Sequence, residues 1–245
     1  MIVVERIQSL WDGYGELVRA RLESGETVIV KTVHPPRGAH PRKIRSYEVE
    51  ATFYEKYAPR CDETCRVAKL IERRPSTLVL EDLDVELPRR NGELEPCLAW
   101  LAAFHSRFLG VQPAGLWPIG TYWHLGTRQE ELAAMRDANL RARAPELDRA
   151  LREAKHQTIV HGDAKPENFC WSRDGSRVAA VDFQYVGGGP GVRDVAYLLH
   201  GERDEAARLD FYFAHLGDAE VEREWRALYP IARDDFRRFL DGWRR

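Results

Sequence analysis

No apolar run in this chain approaches the roughly 18 residues that a membrane-spanning helix needs. The longest, Cys97 to Phe104, has eight. The opening Met1-Ile2-Val3-Val4-Glu5-Arg6 puts charge where a secretory leader needs its apolar stretch. These two absences predict a cytoplasmic protein with no membrane partner. Cysteine is scarce, with only Cys61, Cys65, Cys97 and Cys170, and in that compartment they are expected to be free thiols. Cys61 and Cys65 have no His close behind them, which makes a poor zinc pattern. An excess of either charge is missing too. With 37 basic and 39 acidic residues the net charge is -2, which excludes a general attraction to nucleic acid or an anionic membrane. Lysine is rare, six residues against 31 arginines, and the arginines are scattered among acids rather than blocked together. Internal repeats and low-complexity tracts are absent.

What is present suits a packed enzyme-sized chain. Hydrophobic residues make up 44% of the 245, enough for a core and too many for disorder. At roughly 150 residues per domain, that length fits one large domain or two small lobes. The first part alternates β-rich runs with turns. Val3 to Ile7, Glu16 to Leu22 and Thr27 to Val33 read as antiparallel strands, with Trp11-Asp12-Gly13-Tyr14-Gly15 turning the first hairpin. Lys43 to Tyr57 has no Gly or Pro and predicts a helix; Arg66 to Glu72 and Thr77 to Glu81 predict two further strands. A polar stretch with Pro88, Asn91-Gly92 and Pro96 suits a linker, giving lobes at 1–83 and 97–245 joined by 84–96. The second part reads as mainly helical, over Leu98 to Leu109, Arg128 to Ala142, Pro145 to Lys155 and from Val192 onward. Short strands are expected at Thr158 to Val160 and Val178 to Val181. Leu198, Leu209, Phe213, Leu216 and Trp225 are the expected core positions of the last helices.

The chemistry is concentrated in His161-Gly162-Asp163-Ala164-Lys165-Pro166-Glu167-Asn168, a loop between two short apolar strands. Fourteen residues on, Val181-Asp182-Phe183-Gln184 closes a second hairpin around Asp174-Gly175. A loop Asp, an Asn five residues later and a second Asp at the next strand end are what phosphoryl transfer needs. One carboxylate positions the attacking hydroxyl and takes its proton, while the amide oxygen and the other carboxylate hold Mg²⁺ against nucleotide phosphates. Mg²⁺ suits so few protein ligands because it keeps waters and phosphate oxygens.

These segments, with Arg193-Asp194-Val195-Ala196-Tyr197-Leu198-Leu199, resemble the aminoglycoside phosphotransferase and choline kinase superfamily. They are most similar to its ecdysteroid-kinase-like (CHK kinase-like) branch, which carries such HGD…N, DFQ and D-x-A-Y runs. The likeness is strong over 158–200 and fair over 11–83. It implies an α+β, bilobal protein-kinase-like fold, with a small β-sheet N-lobe holding one helix and a larger, mainly helical C-lobe. It also implies ATP- and Mg²⁺-dependent phosphorylation of a small hydroxylated acceptor. Carried over position by position, Asp163 would be the catalytic base and Asn168 and Asp182 the metal ligands. Lys165, two residues after the base, is similar to the lysine of protein Ser/Thr kinases that neutralises the transferring phosphate. Lys31, ending the strand Thr27-Val28-Ile29-Val30, resembles the kinase strand lysine that contacts phosphates, so Lys31→Ala is expected to weaken ATP use with the fold intact. A helical wheel puts Glu50 on the aromatic side with Tyr47, Phe53, Tyr54 and Tyr57 and makes it the expected partner of Lys31, with Glu48 second. Gly13 and Gly15 would bring backbone N–H groups to the phosphates, although a third glycine at the kinase offset is missing. Glu81 to Leu83 would offer main-chain groups to adenine by resemblance alone. Asp194 would hydrogen-bond the catalytic loop from below, and His161 would be scaffold rather than base.

Two other functions fit parts of this pattern. A protein Ser/Thr kinase-like enzyme suits Lys165-Pro166-Glu167-Asn168, but eleven residues between Asp182 and Asp194 leave no room for a peptide platform. A catalytically inactive nucleotide-binding regulator would be expected to have lost one of Lys31, Asp163, Asn168 and Asp182. For the acceptor, Trp117, Tyr122, Trp123, Tyr185, Trp225 and Tyr229 could form an aromatic cage or simply pack as core. The acids of the last helices, Asp235 among them, are expected on solvated faces because they alternate with Arg. Relatives in the branch often run longer, so the resemblance implies that part of the acceptor wall lies beyond Trp243-Arg244-Arg245.

Overall fold

The computed structural model describes residues 1–10 and 13–243; Trp11 and Asp12 of the first turn, and Arg244 and Arg245, lie outside the described residues. The first part is a five-stranded antiparallel sheet of β1 (Ile2–Ser9), β2 (Gly15–Arg21), β3 (Thr27–Val33), β4 (Leu70–Arg74) and β5 (Thr77–Glu81). Its spatial order is β1-β2-β3-β5-β4, so the strand carrying Lys31 lies at the centre. Alternation fixes the register: Val18, Ala20, Val28, Val30 and Val79 pack together on one face. Helix α1 (Pro41–Lys56) covers the other face and buries Val49, Glu50, Phe53 and Tyr54. The His40 side chain caps it by accepting from the Arg42 amide, and Pro41 stands at its first position, where no N–H is needed.

The second part is built on α2 (Glu95–Arg107), whose Cys97, Leu98, Trp100, Leu101 and Phe104 are all buried. Two short hairpin-like pairs lie against it. β6 (Thr158–Val160) pairs with β9 (Gly187–Gly189), and β7 (Phe169–Trp171) with β8 (Val178–Ala180), both antiparallel. Helices α3 (Gln129–Ala134), α4 (Ala138–Arg152), α5 (Val192–Leu198), α6 (Glu205–Leu216) and α7 (Ala219–Trp243) complete it. One continuous core runs from α1 through α2 and the short strands to α7.

The mixed α+β, protein-kinase-like architecture is the one expected. Some elements differ for identifiable reasons. The expected break at Pro145 falls instead at residues 135–137, because the Asp137 side chain caps α4 by accepting from the Leu140 amide. Asp241 of α7 also accepts from the Arg136 and Asp137 amides, and α4 then runs through Pro145. The strand expected from Arg66 begins only at Leu70, since Val67 pairs with Ala180 of β8. Residues 84–96 are well tethered: Arg89 exchanges backbone hydrogen bonds with Trp171, and the Trp171 indole donates to the Glu93 carbonyl. Asp235, expected on a solvated face, is 1% exposed, because Arg193 and Arg238 both pair with it in the interior. The six aromatic residues also separate. Trp225 and Tyr229 are core, while Trp117, Tyr185, Tyr122 and Trp123 form a chain of ring contacts in which Trp123 is buried against Phe236. The four cysteines are free thiols. No helix among the described residues is long and apolar enough to cross a membrane.

Candidate active site

The loop between β6 and β7 is shaped by its backbone contacts. Gly162 has φ +82, and a Cβ there would come within 2.1 Å of the Tyr185 carbonyl oxygen, so only glycine fits. Asp194, fully buried at the start of α5, accepts from the amides of His161 at 2.6 Å and Gly162 at 2.9 Å. Its own position is set by His105 Nε2 at 3.1 Å, while the Tyr212 hydroxyl lies 2.8 Å from His105 Nδ1. His161 accepts from the Asp163 amide through Nδ1 at 3.2 Å, so its Nε2–H donates to the Val181 carbonyl at 3.0 Å. Burial holds this imidazole below its ordinary range. It is a neutral strut between the two loops, with both nitrogens occupied.

Asp163 sits at the centre of this arrangement. Its carboxylate lies 3.2 Å from Lys165 Nζ, and the Asn168 amide nitrogen donates to its Oδ2 at 3.0 Å and to its backbone carbonyl at 2.8 Å. Spending the Asn168 nitrogen on Asp163 leaves the amide oxygen as an acceptor. The Asn168 carbonyl accepts from the Val181 amide at 2.9 Å, which brings the Asp182 strand end beside the loop. Asp182 has φ +65, an uncommon and mildly strained state for a non-glycine residue. Its Oδ1 is buried without a hydrogen-bond partner, 3.5 Å from Lys31 Nζ. Two oxygen donors, one an orphaned carboxylate oxygen, fit Mg²⁺, which fills its remaining positions with water and phosphate oxygens. Below them Phe183 stacks on Phe53 of α1 at 3.8 Å between ring centres.

Lys31 reaches the same place from β3. It pairs with Glu50 Oε2 at 2.7 Å, with both side chains buried, while Glu48 pairs instead with Arg45. Burial opposes the ammonium charge, but Glu50 and then Asp182 outweigh it and push Lys31 up to about 12. The burial changes the expectation for Lys31. Removing it strands Glu50, and breaking a buried pair from one side costs about 3 kcal/mol or more. Lys31→Met is therefore expected to melt lower as well as to use ATP poorly. The double variant Lys31→Met/Glu50→Gln should recover the melting temperature and not the ATP use. Recovery of both, measured by thermal melting and ATP titration, would show that Lys31 serves the fold alone.

Burial pushes the Asp163 carboxyl up to about 6; Lys165 opposes this and Asp182 adds to it. Acting as a base, Asp163 would have to be deprotonated, so a phosphotransfer role for it predicts activity that falls as pH drops through about 6. Lys165→Met removes the opposing ammonium and should move that acid limb to higher pH. An unmoved limb in the pH–rate profile would separate Lys165 from Asp163.

The structure thus gathers Lys31, Glu50, Asp163, Lys165, Asn168 and Asp182. Gly15 opposes Val33 in the β2–β3 ladder, and a Cβ there would lie 1.9 Å from the Thr32 carbonyl oxygen, so packing alone demands glycine. Gly13 closes the turn by donating to the Leu10 carbonyl. The Glu81 side chain holds Arg66, and its amide donates to the Lys69 carbonyl. The Leu83 carbonyl accepts from Glu86 and Leu87, so that oxygen and the Glu81 N–H are already engaged. Sequence reasoning missed His105 and Tyr212, which orient Asp194. A lone His in a helix carries no signal for a partner about a hundred residues away.

With this geometry in view, the sequence matches the APH phosphotransferase enzyme family over residues 6–231. The chain belongs to this phosphotransferase family. No curated protein matches the sequence significantly. Among solved structures it is similar to amicoumacin kinase hAmiN, in complex with AMP-PNP, Ca²⁺ and Ami, at 18% identity and a TM-score of 0.61, covering 99% of this chain and 82% of that one. The macrolide 2′-phosphotransferase MphH from Brachybacterium faecium gives 14% identity and a TM-score of 0.61, covering 94% and 81%. Choline kinase LicA from Streptococcus pneumoniae gives 13% and 0.56, covering 100% and 88%. At these identities the likeness supports the shared protein-kinase-like fold.

Proposed function

We propose that this phosphotransferase moves the terminal phosphoryl group of ATP, with Mg²⁺, onto a hydroxyl of a small molecule in the cytoplasm. The observation that carries this reading is the convergence of Lys31, Asp163, Asn168 and Asp182 from three separate segments. The acceptor oxygen forms a bond to the terminal phosphorus as the bond to the ADP oxygen breaks, and the hydroxyl proton passes to Asp163. Asn168 Oδ1 and the Asp182 carboxylate would hold Mg²⁺, which neutralises charge on the phosphates when bound. Lys31, kept charged and extended by Glu50, contacts the phosphates. Lys165 stabilises charge developing on the transferred group. Residues 1–83, with Lys31 and Glu50, take the nucleotide; 84–96 join the lobes; 97–245 supply the base and the acceptor site.

The HGD…N, DFQ and D-x-A-Y runs favour the ecdysteroid-kinase-like branch. A protein kinase is disfavoured because the short segment after Asp182 is engaged: Gly187–Gly189 pairs with β6, and Trp117 bonds Val186 and Gly188. An inactive regulator is disfavoured by the intact acidic and amide groups. The test is ADP release over a panel of hydroxylated metabolites, with Mg²⁺ and with EDTA, and mass detection of the phosphate ester. Metal-independent release, or nucleotide binding without transfer to any member, would sink the reading.

A further inference from the structure

A cavity of about 200 Å³ lies between α1 and the β3, β4 and β5 side of the sheet, and the reaction as described does not use it. Lys31 and Glu50 form part of its lining, whereas Asp163, Lys165, Asn168 and Asp182 do not. Its wall is mostly apolar, from Val33, Pro35, Ile44, Tyr47, Ala51 and Leu78. Pro35 and Ile44 are exposed, so a molecule in solution reaches it. Each charged side chain on the wall already has a partner. Lys31 holds Glu50 at 2.7 Å, Arg45 holds Glu48 at 3.3 Å, Glu72 holds Arg74 at 2.7 Å, and Glu55 holds Arg73. The Tyr47 hydroxyl, by contrast, is buried without a hydrogen-bond partner. Ser76 and Thr77 bring two further hydroxyls to the same wall.

The cavity lies in a joint. Helix α1 is fastened to the second part of the protein: Phe53 stacks on Phe183 at 3.8 Å, Ser46 Oγ donates to Gln184 Oε1 at 3.3 Å, and Arg45 Nη2 donates to the Gly115 carbonyl at 2.9 Å. The sheet meets α1 through the apolar cluster that includes Val49, Leu78 and Leu80, and through the ion pairs Lys31–Glu50 and Arg73–Glu55. Both ion pairs contribute to the cavity wall. A molecule filling the space touches Ile44, Tyr47 and Ala51 on the helix and Val33, Thr77 and Leu78 on the sheet. It therefore binds best when the two walls keep this spacing, which is the spacing that leaves Glu50 on Lys31.

We propose that this cavity is a second binding site, for a neutral, ring-sized apolar molecule bearing one hydroxyl or carbonyl, and that its occupancy tightens nucleotide binding by holding Glu50 on Lys31. An apolar cavity of about 150 Å³ accommodates benzene, which sets the size class. Charged ligands are disfavoured because the charges of the wall are matched in pairs, and a new ion there loses its water without gaining a counter-ion. The ligand oxygen gives the Tyr47 hydroxyl the hydrogen bond that it lacks. The coupling to nucleotide rests on the phosphotransfer reading, in which Lys31 meets the phosphates; the site itself does not. By linkage, nucleotide tightens the cavity ligand by the same factor.

Benzyl alcohol, benzylamine and benzoate share one size and differ in charge, and calorimetry with each tests the site. Benzyl alcohol is expected to bind with a Kd on the order of 1 mM, about tenfold or more tighter than the two ions at neutral pH. MgADP is expected to bind about fivefold or more tighter when benzyl alcohol saturates the protein. Ala51→Leu fills the cavity from the helix side and should abolish benzyl alcohol binding. Ile44→Glu, at an exposed part of the wall, should weaken it and serves where Ala51→Leu does not fold. No benzyl alcohol binding, equal binding of either ion, binding that survives these substitutions, or an MgADP affinity that ignores benzyl alcohol overturns the proposal. Benzyl alcohol binding with no MgADP binding at all overturns the coupling together with the phosphotransfer reading, and leaves the site. ATP hydrolysis that ignores Mg²⁺ and Asp163→Asn sinks the phosphotransfer reading alone.

Discussion

Asp163→Asn is expected to lower turnover by about 10²–10⁴-fold while raising thermal stability at neutral and alkaline pH. The first effect follows from removal of the proposed proton acceptor, since the amide fills the same space and keeps a hydrogen-bonding oxygen. The second follows from the burial of Asp163, which pushes its carboxyl from the ordinary 3.8 up to about 6. A carboxyl raised in the folded state binds its proton more tightly there than in the unfolded chain. Stability from that proton is fully present below pH 3.8 and is lost as pH rises through about 6. Above that, the ionised carboxylate costs the fold about 3 kcal/mol, and Asn removes the cost. The melting temperature of the variant should therefore exceed that of the parent at pH 8, with the gap closing towards pH 4. Unchanged turnover would remove Asp163 from the chemistry. A variant that melts lower at pH 8 would show that the Lys165 and Asn168 contacts outweigh the burial of charge.

Asp182→Asn is expected to abolish the metal dependence of nucleotide binding. Asn is the informative replacement because it tolerates the positive φ of Asp182, whereas Ala would add backbone strain of about 1 kcal/mol. The variant keeps the shape and loses the charge that opposes a divalent cation. Lys31 keeps Glu50, so the nucleotide lobe should remain folded. Manganese binding followed by electron paramagnetic resonance, with ADP titrated in its presence and in EDTA, reads the effect directly. An Asp182→Asn protein that still binds nucleotide more tightly with metal would move the metal site elsewhere.

Much of the loop proposed as catalytic was legible because its parts are close in sequence. Asp163, Lys165 and Asn168 lie within six residues, and local backbone geometry is enough to bring them together. The strand pattern around Lys31 was equally plain, since alternation in a sheet has one dominant reading. Helix α1 gave Glu50 over Glu48 through its apolar face, and the structure places Glu50 on Lys31. The limits appeared where partners are distant. Arg193 and Arg238 draw Asp235 into the interior against its charged neighbourhood. Cap bonds from Asp137 and Asp241 decide where α4 begins, overriding the proline rule.

The sequence by itself determined the strand–turn–strand segments that carry the proposed phosphoryl-transfer groups, because those depend on neighbours along the chain. Only the tertiary structure decided that Lys31 and Asp182, 151 positions apart, meet at 3.5 Å, and that Asp194 ties down the loop from His161 to Gly162. Charges so far apart in the chain meet through the packing of α1 against the second part of the protein. That packing is driven by buried aromatic area, which specifies contact without naming the polar groups it brings along.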